Sequence, residues 1–286
     1  MEDLLRVGHL NKRVGEFCLK DISFSLKSGY IMGLLGVNGA GKTTLIHTIL
    51  NLYKKDSGGV YVDDMEMEEE ERAVKDKIGF VLDENMFEES MSVIRNAKGF
   101  GKLYSKFDEA LFRIFCKNFG IPLNKTVGSL STGMKVRFQL AFALSHDAVL
   151  FIMDEPAAGL DPLFRKELMR YMQEIVEDGT RSVLFSTHIT EDLEKMSDYI
   201  VLMRGGEVFL SMPTVDLKER YRIVYGTKEQ IEALPFSSII YKEYGEYGSY
   251  AFLESAEGED YGKYEVKEPF LEDIMYCLEK GGYSYV

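Results

Sequence analysis

The chain has 286 residues, 45% hydrophobic and 28% charged, with 34 Lys+Arg against 47 Asp+Glu for a formal net charge of −13. At about 150 residues per domain this predicts one large domain or two smaller ones, and the hydrophobic content excludes disorder as the main state. A surplus of carboxylates repels phosphate backbones and anionic headgroups, so no nucleic-acid partner and no direct membrane adsorption are expected. Cys18, Cys116 and Cys277 are scattered, and the four histidines stand far apart. That pattern argues against a disulfide scaffold or a zinc site and for a reducing, cytoplasmic compartment. The first ten residues lack the basic and apolar regions of a secretion signal. The best apolar stretches, 31–35 and 148–153, fall well short of the roughly 18–20 residues that span a bilayer.

In chain order, Ile22, Phe24 and Leu26 alternate with polar residues, which predicts a half-exposed, antiparallel strand. Residues 30–35 are nearly all apolar, as in a central parallel strand, and a glycine-rich loop separates them from a helix over 42–53. Strands are predicted at 59–63 and 78–82. Between them, 63–71 holds seven carboxylates in nine positions, which reads as a solvated turn entering a helix. From 92 to 145 the pattern is helical. A buried strand at 148–153, an amphipathic helix at 161–178, a strand at 182–186 and a hairpin over 199–210 follow. Strands alternating with helices predict an α/β core with a parallel sheet, into which the helical stretch is inserted. After Met212 the composition changes: residues 213–286 carry 11 of the 17 tyrosines, strand-like pieces at 238–244 and 250–253, and a helix from Pro269 with Leu271, Ile274, Met275 and Leu278 on one face. This predicts a small C-terminal α+β domain over 213–286 beside a domain at 1–212.

The run Gly36, Val37, Asn38, Gly39, Ala40, Gly41, Lys42, Thr43, followed by Thr44, fits GxxxxGK[ST] and lies between a buried strand and a helix. Its glycines allow consecutive N–H groups to point at one anion, and the helix N-terminus adds partial positive charge. Lys42 would reach the β- and γ-phosphates, and the Thr43 hydroxyl would ligate magnesium. The strand at 149–153 ends in Asp154 and Glu155, one carboxylate for the magnesium shell and one to polarise an attacking water. Either motif alone has a bland explanation, a chance turn or a capped strand end. Together they make a nucleotide site.

These residues resemble the nucleotide-binding subunit of ATP-binding cassette (ABC) transporters over about residues 4–210. Leu130, Ser131, Thr132, Gly133 and Met134 stand where that family has its LSGGQ signature, Ala158 to Pro162 resembles its D-loop, and Ser186, Thr187 and His188 its switch histidine. The resemblance implies a P-loop ABC ATPase fold, with a helical subdomain at about 86–147. It also implies a homodimer or heterodimer in which each ATP lies between the phosphate loop of one subunit and the signature of the other. On this reading Glu155 is the general base, His188 contacts the γ-phosphate, and Ser131, Gly133 and Met134 complete the opposite site. Ser131 and Gly133 also begin a helix, a natural γ-phosphate receptor.

Four positions depart from the family pattern. Thr132 and Met134 replace Gly and Gln of the signature, Asp83 stands at the magnesium-sensing glutamine, and Val14 replaces the aromatic that stacks on adenine, with Phe17 as its nearest substitute. The signature variant, the switch segment and the terminal helix look like ATPases of bacterial exporters of the antibiotic-peptide and bacitracin-resistance type. The reading is therefore an ATP- and magnesium-dependent ATPase driving export through a separately encoded, multi-spanning permease, held at the cytoplasmic face of the membrane. The alternatives are a soluble ABC ATPase acting on DNA or ribosomes and a non-hydrolysing nucleotide sensor. For the segment 83–91, which lines the groove between core and helical insertion, two readings stand: Met86, Phe87 and Met91 form a socket for the permease, or the three pack inside the helical subdomain.

Overall fold

The computed structural model describes residues 3–234, 238–245, 248–255, 261–262 and 264–281. β1 (Asp3–Val14) and β2 (Phe17–Lys27) form an antiparallel pair whose register slips between Val7 and Leu10 and again by Lys12. His9 and Asp21 sit there with φ of 49°. Such bulges break the period-two pattern, which is why β1 is invisible in the sequence and the alternation of β2 is legible only from Ile22. β3 (Ile31–Leu35) is buried at every residue and leads into α1 (Lys42–Ile49). β4 (Ser57–Val62) pairs with β1, and the two-residue β5 (Met65–Glu66) completes a sheet ordered β2-β1-β4-β5. The acidic run occupies the turn before β5, β5 itself and the entry of α2 (Glu71–Asp76), where Lys55 binds Glu66 and Glu68.

β6 (Ile78–Val81) precedes three helices, α3 (Val93–Phe100), α4 (Glu109–Asn118) and α5 (Thr132–Ala143). Each begins where a side chain satisfies free helical N–H groups: Ser92 accepts from Arg95, Asp108 from Ala110 and Leu111, Ser131 from Met134. Beyond them come β7 (Leu150–Asp154), α6 (Pro162–Val176), β8 (Ser182–Ser186), α7 (Thr190–Met196), β9 (Tyr199–Arg204) and β10 (Glu207–Pro213). The second sheet has the order β10-β9-β3-β8-β7-β6, with parallel pairing from β9 through β6. Its parallel strands therefore all deliver their following loops to one carboxyl edge, where open α/β sheets bind ligands.

Phe87, a socket residue on one of the two readings of its segment, is 4% exposed. Its ring lies 4.4 Å from that of Phe138, 5.0 Å from Phe100 and 5.1 Å from Phe142. Edge and tilted packing of this kind is how rings fill a core, so the aromatic belongs to the helical insertion and not to a docking surface. Met86 and Met91 remain exposed, at 39% and 47%.

The described chain divides into two compact units, Met1–His188 with Tyr199–Ser211, and Ile189–Asp198 with Met212–Val286. The second unit holds α8 (Thr214–Arg220), β11 (Tyr221–Gly226), α9 (Lys228–Glu232), β12 (Ile239–Gly245), β13 (Gly248–Glu254), β14 (Glu265–Lys267) and α10 (Leu271–Lys280). Its sheet is antiparallel, ordered β12-β13-β11-β14, over a core of Val224, Ile231, Leu234, Ala251 and Leu253. The division differs from a cut at 212 by giving α7 to this unit. Three hydrogen bonds explain the difference: the Leu271 N–H donates to Glu194 at 2.5 Å, Thr214 Oγ1 to Ser197 O at 2.6 Å and Thr214 N to Asp198 O at 2.9 Å. α10 starts at Leu271, two residues after Pro269, and Cys277 rather than Met275 joins its buried face.

Because Phe87 is enclosed by rings, Phe87→Ala should destabilise the helical insertion by about 3–5 kcal/mol, the range for buried Phe truncations. A urea midpoint equal to that of the parent protein would contradict this packing.

Candidate active site

Four loops meet at the carboxyl edge of the parallel sheet, those following β3, β6, β7 and β8. After β3, Gly39 and Gly41 hold φ of 82° and 106°, in the left-handed region where an L side chain is strained. At Gly41 space is denied as well: a Cβ would stand 2.6 Å from Phe17 Cζ. The loop is thereby turned so that α1 begins at Lys42, with its free N–H groups at the loop.

A cavity of about 420 Å³ is lined by Val14, Phe17, Asn38, Gly39, Gly41, Lys42, Thr43, Thr44 and Glu155. Gly36, Val37 and Ala40 complete the loop without lining it: Gly36 and Ala40 are buried and Val37 is 48% exposed. Phe17 is half-buried with its ring tip against Gly41 and Gly206, so it braces the loop while closing one end of the cavity with Val14. Lys42 is 7% exposed, and its ammonium donates to the Gly36 carbonyl at 2.7 Å and lies 4.0 Å from Glu155 Oε1. Burial pushes the Lys42 ammonium below its usual range, opposed by the charges of Glu155 and then Asp154.

Asp154 ends β7 at 1% exposure, and its register partner in β8 is Ser186. The Ser186 hydroxyl donates to Asp154 Oδ1 at 2.5 Å and accepts the Glu155 N–H at 2.9 Å. Asp154 Oδ2 is buried with no hydrogen-bond partner among the described residues. Glu155 has φ 47°, a conformation that costs roughly 1–3 kcal/mol in a non-glycine residue and collects at functional sites. Its carboxylate accepts from His188 Nδ1 at 2.8 Å. Ser186 carries no weight in the sequence reading beyond its place before His188. The only signal for it is a small hydroxyl residue closing an apolar strand.

The remaining predicted residues lie elsewhere. Ser131, Gly133 and Met134 form the start of α5 and none lines the cavity. A Cβ on Gly133 would meet Gly159 O at 3.1 Å, so the signature turn packs against the loop before α6. Arg137 reinforces that contact by pairing with Asp161 and donating to Phe119 O at 3.3 Å. Asp83 is exposed and does not line the cavity. Within one chain, then, loop, strand-end carboxylates and histidine are joined by direct contacts, while the signature residues and Asp83 neither line the cavity nor contact that cluster through any hydrogen bond given above.

A family model described as ABC transporter matches residues 19–158. The ABC transporter ATP-binding protein YdbJ of Bacillus subtilis is 31% identical over 210 residues, 72% of this chain and 68% of that protein. The linearmycin resistance ATP-binding protein LnrL of the same organism is 33% identical, covering 76% of this chain and 71% of its own. The bacitracin transport ATP-binding protein BcrA of Bacillus licheniformis is 28% identical over 99% of both chains. A solved structure of an ATP binding subunit of an ABC transporter superposes with a TM-score of 0.70 at 25% identity, over 76% of this chain and 92% of that one.

Gly41→Ala combines a left-handed φ with a clash against Phe17. It should weaken nucleotide binding by roughly tenfold to a hundredfold, the equivalent of about 1–3 kcal/mol of backbone strain. Titration with a fluorescent ATP analogue measures this, and affinity equal to the parent's would mean the loop does not hold the nucleotide.

Proposed function

This chain belongs to the ABC transporter family and is an ATPase of that family, and we propose that it powers export through a separate membrane-spanning permease, with each ATP shared between two cassettes. The observation that carries the proposal is the constellation at the end of β7: a buried aspartate with one unpartnered oxygen beside a strained glutamate, 4.0 Å from the phosphate-loop lysine. The orphaned Asp154 Oδ2 fits a divalent cation, which requires oxygen ligands. Asp154 and the Thr43 hydroxyl would hold magnesium, with Asp83 as a further oxygen donor. Magnesium, when bound, supplies charge neutralisation on the β- and γ-phosphates.

The loop N–H groups and Lys42 bind the phosphates. Glu155 accepts a proton from water as its oxygen attacks the γ-phosphorus and the bond to the β-phosphate oxygen breaks. His188, donating through Nδ1, fixes the carboxylate's orientation, and a contact to the γ-phosphate is made only by the form with protons on both ring nitrogens, which donates through Nε2 as well. Ser131, Gly133 and Met134, which do not line the Lys42 cavity of their own chain, serve the cavity of a second subunit. Resemblance to the linearmycin resistance and bacitracin transport proteins supports export as the direction of transport. No helix among the described residues is long and apolar enough to cross a membrane, which fits a pathway supplied by another chain.

The permease contact is proposed at an apolar groove of about 550 Å³ lined by Leu50, Ile78, Phe80, Met86, Leu103 and Phe142, with Arg72, Lys75 and Asp76 at its polar side. Of the segment 83–91 it includes Met86. Such a groove suits an amphipathic segment of a partner.

Two sets of variants test this reading. Glu155→Gln should keep ATP binding and lose turnover by about 10²-fold or more, and light scattering should show its mass doubling with magnesium-ATP but not with ADP. Added salt should favour the dimer by screening two acidic surfaces. Full steady-state phosphate release from the variant would remove Glu155 from the chemistry. For the groove, Leu103 is 64% exposed, so Leu103→Asp combined with Met86→Asp should fold, bind ATP and lose recovery with membranes. Unchanged recovery would place the contact elsewhere.

A further inference from the structure

Gln139 has no role in the reading above, yet it is one of the most buried polar residues, at 1% exposure. It lies on α5, eight residues or about 12 Å beyond the Ser131 cap. Its side-chain amide makes a reciprocal pair with the backbone of one core residue: Oε1 accepts the Leu82 N–H at 2.9 Å and Nε2 donates to the Leu82 carbonyl at 2.8 Å. Leu82 follows β6, the edge strand of the parallel sheet, and immediately precedes Asp83. An edge position leaves backbone groups without a ladder partner, and here a side chain from the signature helix takes both.

The other end of the same segment is tied to the signature as well. The Glu89 carbonyl accepts from Gly128, its carboxylate pairs with Lys135 at 2.6 Å, and the Met91 carbonyl accepts from Val127 at 3.0 Å. Residues 82–91 thus form a bracket with both feet on α5 or the turn before it, and Asp83 stands beside one foot. Three residues past the end of α5, His146 donates to the Ile78 carbonyl at 3.1 Å, so the first residue of β6 and the residue after its end are both held, but only the Gln139 grip adjoins Asp83.

We infer that Gln139 is a positioning residue that couples the signature helix to Asp83, so that the placement of Ser131 and that of the Asp83 carboxylate change together. Two fixed hydrogen bonds to the two peptide groups that flank one Cα transmit translation and rotation alike, whereas an apolar contact would slide. The inference rests on the proposed ATPase reading in that Asp83 is taken to face the nucleotide's metal.

The test compares the parent protein with Gln139→Met, which keeps the length and loses both hydrogen bonds, Asp83→Ala, and the double variant. Gln139→Met should lower kcat about tenfold with ATP affinity within twofold of the parent. In a Glu155→Gln background with ATP, Mn2+ binding followed by electron paramagnetic resonance should weaken several-fold. The double variant should turn over no more slowly than Asp83→Ala, because two residues acting through one path are not additive. Should Gln139→Met fail to fold, Gln139→Glu decides: its neutral carboxylic acid can both donate and accept at Leu82, and its ionised form cannot donate. Turnover relative to the parent should therefore rise as pH falls. Additive losses, unchanged Mn2+ binding, or a flat pH ratio would each overturn the coupling. A parent protein without ATP turnover would defeat the proposed function and this inference with it, whereas an active parent with additive variants defeats the inference alone.

Discussion

One hydroxyl joins the two halves of the site. Ser186 Oγ is fully buried between the ends of β7 and β8, giving its proton to Asp154 and receiving that of the Glu155 backbone. Parallel register sets Asp154 opposite Ser186, so the bond exists only because the strands are aligned residue for residue. It consumes one oxygen of Asp154 and leaves the other for a ligand. It also anchors the peptide of Glu155 at the place where the chain leaves the sheet with a left-handed φ. Backbone strain persists where its surroundings over-determine it, and this hydroxyl is part of that determination.

The electrostatics of the loop follow from the same arrangement. Lys42 is desolvated, which disfavours its ammonium, and the two carboxylates at the end of β7 restore part of what burial removes. A cation held between a carbonyl at 2.7 Å and a carboxylate at 4.0 Å is poised to take up an anion, since phosphate replaces weaker partners with a charge-assisted one. The cluster pairs its charges across adjacent loops, so bringing any one loop out of place exposes an unpaired charge in a poorly solvated position.

α5 connects this centre to the rest of the unit. Its N-terminus is capped by Ser131 and packed through Gly133 against the loop that precedes α6. Its middle carries Phe138 and Phe142 into the aromatic core around Phe87. The helix is apolar on several sides because it is enclosed on several sides: the edge of β6, α4 and the aromatic cluster all press on it. The second unit is stabilised on different terms, an antiparallel sheet with α9 and its own small core, and it claims α7 and the two residues after it through hydrogen bonds to the Glu194 carboxylate and to the Ser197 and Asp198 carbonyls.

What the sequence determined by itself is what depends on local pattern. The phosphate loop, the apolar strands at β3, β7 and β8 and the carboxylates at the end of β7 all follow from residue spacing, because each needs only its neighbours in the chain. The tertiary structure decided what depends on partners distant in sequence. β1 is a strand because β2 and β4 pair with it despite bulges that destroy its alternation. Phe87 is core and not surface because Phe100, Phe138 and Phe142 arrive from other helices. Ser186 and Gln139 matter through hydrogen bonds spanning 32 and 57 positions, and no periodicity in a one-dimensional string encodes which polar group a buried side chain will meet.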